Sequence, residues 1–136
     1  MSQKNVEIVR LAYAAASDGD LDALDELTAP DAVVDFSRSI GPQNGVYRGS
    51  RAFGRYIAGV AEPFACFEIS PVDFVVAPGG EIVVRHHVSA RGRASGLPID
   101  RVPDVALVWE LRDGQVIKTT MYQPHAEALE AVGLRE

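Results

Sequence analysis

At Pro63 the apolar pattern of the chain changes period. Before it, apolar side chains recur every three or four positions, as on a helix; after it they alternate, as on a strand. Neither pattern buries its apolar face in the other conformation, so a helical first half must pack against a sheet made from the second half.

In the helical half, Val6, Val9 and Tyr13, with Ile8, Leu11 and the alanines around them, form a wide stripe and predict a mostly buried helix to about Asp18. The stretch "DGDLDALDEL" then places Asp18, Asp20 and Asp22 at alternate positions, as at the start of a calcium loop. Such a loop needs Gly at its sixth position and Glu at its twelfth; here these are Ala23 and Ala29. A hinge fits better, with Gly19 closing one helix, Asp20 capping the next, and Leu21, Leu24 and Leu27 on one face up to Pro30. "AVVDFS" reads as a strand and "SIGPQNGVYRG" as a loop. Ser50 is placed to cap a third helix carrying Phe53, Tyr56, Ile57 and Val60, closed by Pro63.

The second half predicts four strands: Cys66–Ala77, Glu81–Arg93 after "PGG", Ile99–Arg112 after "SGLP", and Gln115–Tyr122 after the Asp113-Gly114 turn. Pro124 starts a last short helix, with Leu129 and Val132 inward and Gly133 ending it. Helices, a meander of long strands and a terminal helix make one α+β domain over residues 1–136. Its strands are long enough to curl around the helices as a cone with a pocket inside.

Composition narrows the functional classes. A net charge of −6 argues against nucleic-acid binding, which depends on lysine and arginine. The cluster Arg85, Arg91, Arg93 and Arg101 is the one counter-signal and fits a solvated or dimer-forming sheet face. No segment has the length and apolarity of a membrane span, and "MSQKNVEIVR" lacks a signal-peptide core. One cysteine, Cys66, allows no intrachain disulfide and no multi-thiolate zinc site; among apolar neighbours it is expected to be buried and inert. A cytoplasmic protein without cofactor or metal is expected.

Alternation assigns faces. In "VVRHHVSARGR", Ile82, Val84, His86, Val88 and Ala90 form the apolar set, which puts His86 on the buried side and His87 opposite. His86 is a candidate general acid/base or a core histidine satisfied by a neighbour. In the next strand, Val105, Leu107, Trp109 and Leu111 face inward, while Asp104, Ala106, Val108 and Glu110 face outward or into a partner. Tyr13 and Tyr56 are core or pocket residues, and Tyr122 can close the pocket mouth. His125 fits an exposed structural role at the start of the last helix. Arg38 and Arg51 flank the presumed mouth, where either could orient an anionic substrate group.

"IVRLAYAAASDGDLDALDELTAPDAVV", "GVYRGSRAFGRYI" and "LVWELRDGQVIKTTMYQPHAEALEAVGL" resemble, in order, the SnoaL-like branch of the nuclear transport factor 2-like superfamily. That superfamily includes ketosteroid isomerase, polyketide cyclases and limonene epoxide hydrolase. The resemblance implies a cone-shaped, curved mixed or antiparallel sheet wrapped around the N-terminal helices, and a homodimer paired through the outer sheet face. It does not carry a mechanism, because fold alone does not imply function. The histidine and aspartate positions of the cyclases fall on Leu107 and Met121. The tyrosine and two aspartate positions of the isomerase fall near Ala12, Phe36 and Leu107, so Tyr13 and Asp35 each miss by one place. A bulge in the first strand would bring Asp35 to the inner face. Asp100, Arg101 and Asp104 lie in the region of the hydrolase's Asp-Arg-Asp set without matching it.

The expectation is a small, mainly apolar organic ligand contacting Phe36, Tyr56, Leu107, Trp109, Met121 and Tyr122. Cofactor-independent acid/base chemistry of isomerase, cyclase or hydrolase type would use His86 and Asp35, with Tyr13 or Tyr122 as donor. The rival is a non-catalytic binding or dimerisation module of the same fold.

Overall fold

The structure, a computed structural model, describes residues 2–38 and 44–134. Positions 39–43 of the loop reading lie outside the described residues. Helix α1 (Ser2–Asp18) ends where Gly19 takes φ +71°, a left-handed conformation that costs glycine no steric strain. The Asp20 carboxylate then accepts from Ala23 N–H at 3.1 Å and caps α2 (Leu21–Leu27). The acidic stretch is thus a hinge. Of its three leucines only Leu24 is fully buried; Leu27 is half-buried and Leu21 exposed.

Strand β1 (Thr28–Asp35) begins directly after α2, earlier than alternation alone suggests. It takes in Pro30, which has no N–H to give to a ladder, and the register against the last strand shifts between Thr28 and Val33. After β2 (Val46–Arg48) comes α3 (Ala52–Ala61), whose N-cap is Arg51 with no side-chain capping bond, so the expected Ser50 cap is not made. The remaining elements are β3 (Phe64–Val76), β4 (Ile82–Gly92), β5 (Pro98–Arg101), β6 (Ala106–Arg112), β7 (Gln115–Tyr122) and α4 (His125–Ala131). Asp113 and Gly114, at φ 53° and 81°, make the tight turn between β6 and β7.

The expected strand Ile99–Arg112 is two strands. β5 pairs with Val88–Arg91 of β4, and β6 with Ile82–Val84 of the same strand. Pro103 lacks a ladder donor, and the neighbouring Asp104 carboxylate accepts from His125 N–H at 3.0 Å. The break thereby ties the sheet to α4.

The sheet order is β2-β1-β7-β6-β4-β3, with β5 beside β4. β1 and β7 run parallel, and the other pairs are antiparallel. Its inner face packs on α1 and α3 through Val9, Tyr13, Phe53, Ile82, Val84 and Trp109. On the opposite face, Ala128 and Leu129 of α4 cover Val83, Ala106 and Val108. Of the expected outward set, Ala106 and Val108 are therefore buried by the chain's own last helix rather than left for a partner, while Asp104 is exposed and Glu110 half-buried. Cys66 is exposed, a correction: it pairs with Arg91 on the outer side, away from the core. Among the described residues no helix is long and apolar enough to cross a membrane.

Candidate functional site

The inner sheet face and the two helices enclose a cavity of about 220 Å³. Its floor and walls are mostly apolar: Phe36 and Met121 from the central strands, Phe53 and Ile57 from α3, Ile69 and Val88 from β3 and β4. Four side chains bring polar chemistry to it: Tyr13, Tyr56, His86 and Arg101.

His86 reaches the cavity because β4 alternates regularly from Ile82, placing it between Val84 and Val88 on the inner face. It is 4% exposed, and its Nδ1 is buried with no hydrogen-bond partner among the described residues. Burial pushes its pKa down to about 4, with the adjacent Arg85 charge acting in the same direction. The imidazole is therefore neutral at neutral pH.

Tyr13 stands on the buried stripe of α1, 2% exposed, and its Oη also lacks a partner of normal hydrogen-bond geometry. Burial raises its pKa well above the ordinary tyrosine range, offset in part by the indole N–H of Trp109. The hydroxyl stays protonated and can donate. The Tyr13 ring lies 6.1 Å from His86 and 5.6 Å from Trp109, centroid to centroid. Trp109 is fully buried behind Tyr13 and Phe53 and is absent from the cavity wall, so it supports the site rather than meeting a ligand. Tyr56 stacks edge-on against Phe36 at 4.3 Å, and burial pushes its pKa up to about 12.

Asp35 does not reach the cavity. The register shift in β1 lies upstream, and from Val33 to Asp35 the pairing with β7 is regular. Phe36 thus takes the inward place, and the Asp35 carboxylate accepts from Ser37 Oγ at 2.6 Å and Ser37 N–H at 3.1 Å. The Ser37 hydroxyl is the main reason its pKa is lowered. Tyr122 also misses the cavity: it packs beside α4 with the Arg38 guanidinium 4.8 Å above its ring. Of the six expected contact residues, Phe36, Tyr56, Leu107 and Met121 line the cavity, whereas Trp109 and Tyr122 do not.

Ile99, Arg101 and Pro103 are wall residues that sequence reasoning did not select. The signal was present, since Ile99 and Arg101 are two apart on one strand and share a face. His87 points to the opposite face and donates to the Asp100 carboxylate. No three His, Cys, Asp or Glu side chains converge as a metal site among the described residues.

With this geometry in place, comparison with known proteins decides the family. The sequence profile of the SnoaL-like domain matches residues 9–119. The chain belongs to the SnoaL-like family. Solved structures similar to this SnoaL-like chain share its nuclear transport factor 2-like, ketosteroid isomerase-like fold. One, described as a candidate SnoaL-like polyketide cyclase from Jannaschia sp. CCS1, has 22% identity and a TM-score of 0.71, over 98% of this chain and 94% of that one. A candidate polyketide cyclase from Sinorhizobium meliloti has 27% identity and a TM-score of 0.64, over 85% and 94%. A protein of unknown function from Burkholderia pseudomallei K96243 has 21% identity and a TM-score of 0.70, over 96% and 98%. No curated protein sequence matches this SnoaL-like chain significantly.

Proposed function

We propose that this chain binds a small, mainly apolar organic molecule in the cone and moves a proton on it without a cofactor, with neutral His86 as base and Tyr13 as hydrogen-bond donor. The observation that carries the proposal is the pairing of two buried, unpartnered polar groups, His86 Nδ1 and Tyr13 Oη, on residues lining one apolar cavity. A buried polar atom without a partner costs about 1–3 kcal/mol, and a ligand oxygen or proton in the cavity relieves that cost.

In the proposed step, the imidazole takes a proton from a carbon next to a carbonyl, and the C–H electron pair shifts to the carbonyl oxygen. Tyr13 donates to that oxygen as its charge grows. In an unsaturated ketone the resulting dienolate takes the proton back from the imidazolium at its far carbon, an isomerisation; otherwise the enolate carbon attacks a second carbonyl, an aldol-type ring closure whose new alkoxide takes that proton. Because burial holds His86 near pKa 4, the base is fully available at neutral pH but weak. It suits carbon acids already activated, such as a carbon between two carbonyls. An enclosed cavity of about 150 Å³ holds benzene, so 220 Å³ accommodates a substituted single ring or a compact bicycle. The candidate polyketide cyclases among the similar structures are consistent with carbonyl chemistry of this kind.

One observation favours an inert binder instead: with Asp35 turned away, no carboxylate among the described residues lines the cavity. A panel of one- and two-ring ketones assayed for enone isomerisation and aldol closure separates the readings. Turnover lost in His86→Phe, with ligand binding kept, supports catalysis. Binding without turnover above background leaves the inert module.

We also propose a homodimer through the outer face of β3 and β4, where Val75 is exposed and Asp73 pairs with Arg85. Sedimentation at low and high salt tests it, and a monomer at all concentrations overturns it.

A further inference from the structure

We infer that Arg101 makes the cavity selective for apolar acids: ligands carrying a carboxylate, or an equally acidic oxygen, at the end of a one- or two-ring body. The inference rests on the pocket reading above and names its substrate class.

Among the described residues Arg101 is the one permanently charged side chain on the cavity wall, and no carboxylate lines that wall. Among the described residues its guanidinium makes no ion pair or hydrogen bond. The acids nearest to it in sequence are engaged elsewhere. Asp100 is on the other face of β5 and accepts from His87, while Asp104 accepts from the backbone at the start of α4. Arg101 is itself exposed, so its guanidinium sits at the mouth with its donors available, beside an apolar interior that offers them nothing. A planar guanidinium in that position matches a carboxylate through two parallel hydrogen bonds.

Strand pairing sets where the rest of the ligand goes. Arg101 is opposite Val88, and Val88 is two residues along the inner face from His86. Diagonal neighbours across such a ladder lie roughly 7–8 Å apart. A carboxylate held by Arg101 therefore leaves the body of a one- or two-ring acid running across Val88 toward His86 and Tyr13. The other two candidates for this role are excluded by position: Arg38 lies over Tyr122, and Arg51 is 3.9 Å from Asp25, both away from the cavity.

The test is isothermal titration calorimetry with matched pairs, 4-ethylbenzoate against 4-ethylbenzamide and 2-naphthoate against 2-naphthamide, on the wild-type chain, Arg101→Met and Arg101→Lys. The wild type is expected to favour each acid over its amide by about tenfold, as one charge-assisted pair provides. In Arg101→Met the preference should vanish because acid binding weakens far more than amide binding, and Arg101→Lys should keep part of it. Arg101 is exposed on a short strand, and circular dichroism verifies that the variants fold. Equal binding of acid and amide to the wild type overturns the selectivity while leaving the pocket intact. A preference that survives in Arg101→Met overturns the role of this residue. Absence of binding by all four probes removes the pocket reading and the inference with it.

Discussion

The Tyr13 ring and the His86 imidazole stand 6.1 Å apart at a 45° tilt; both residues line one cavity, and their buried Oη and Nδ1 are unpaired among the described residues. One residue comes from the first helix and the other from β4, in its long ladder with β3. Their meeting brings a protonated hydroxyl and a neutral imidazole to one mostly apolar cavity.

Tyr13→Phe removes the donor and little else. Loss of one such donor lowers catalytic rates by roughly 10²–10³-fold, and kcat/KM on an accepted ketone should fall by that order. Stability should change little, because among the described residues the hydroxyl has no partner of normal hydrogen-bond geometry, only the nearby indole N–H of Trp109. Thermal denaturation checks this, and a fall of many degrees would show that the hydroxyl carries a structural bond.

His86 should make the fold sensitive to mild acid. Its pKa in the folded chain is lowered to about 4 from 6.5. The unfolded chain therefore binds the proton first as pH falls. The stability involved is complete above pH 6.5 and is lost progressively as pH drops from there to about 4, for a total of roughly 3 kcal/mol. Urea unfolding across this range should show the slope in the wild type and a much flatter one in His86→Phe. Parallel curves would mean that His86 keeps an ordinary pKa. Asp35, lowered from 3.8 by Ser37, contributes only in more acidic solution, below that window.

Val88→Phe projects a larger side chain into the cavity between Arg101 and His86. Binding of the one- and two-ring probes should be lost, while the melting temperature shifts by only a few degrees because the added ring enters free volume. Calorimetry on this variant decides whether the cavity is the site; undiminished binding would place it elsewhere.

Asp104→Ala should loosen the last helix. It deletes the acceptor of His125 N–H at the start of α4, a loss of about 0.5–2 kcal/mol. Hydrogen exchange should quicken in α4, and in β6 where α4 covers Ala106 and Val108. Quickening confined to the β5–β6 connection would show that the bond does not hold the helix.

The parts of this protein that sequence determined are those in which near neighbours decide. The hinge at Gly19 and Asp20, the turn at Asp113 and Gly114, the bounds of β7 and the inward face of His86 all follow from caps, turn residues and alternation within a few positions. The resemblance in helix caps, turns and core positions carried the family and the fold.

Tertiary structure decided the rest, because it depends on residues far apart in the chain. Whether Asp35 faced inward turned on where β1 slips against β7, and the slip falls between Thr28 and Val33 rather than at the strand's end. Whether Ala106 and Val108 were free turned on α4 folding back over them. Arg101, one arginine of a basic cluster by sequence, became the charge at the mouth of an apolar cavity only when β5 paired with β4. A side chain's face is a local property of its strand; what that face meets is set by register, break and cover, which require the whole sheet.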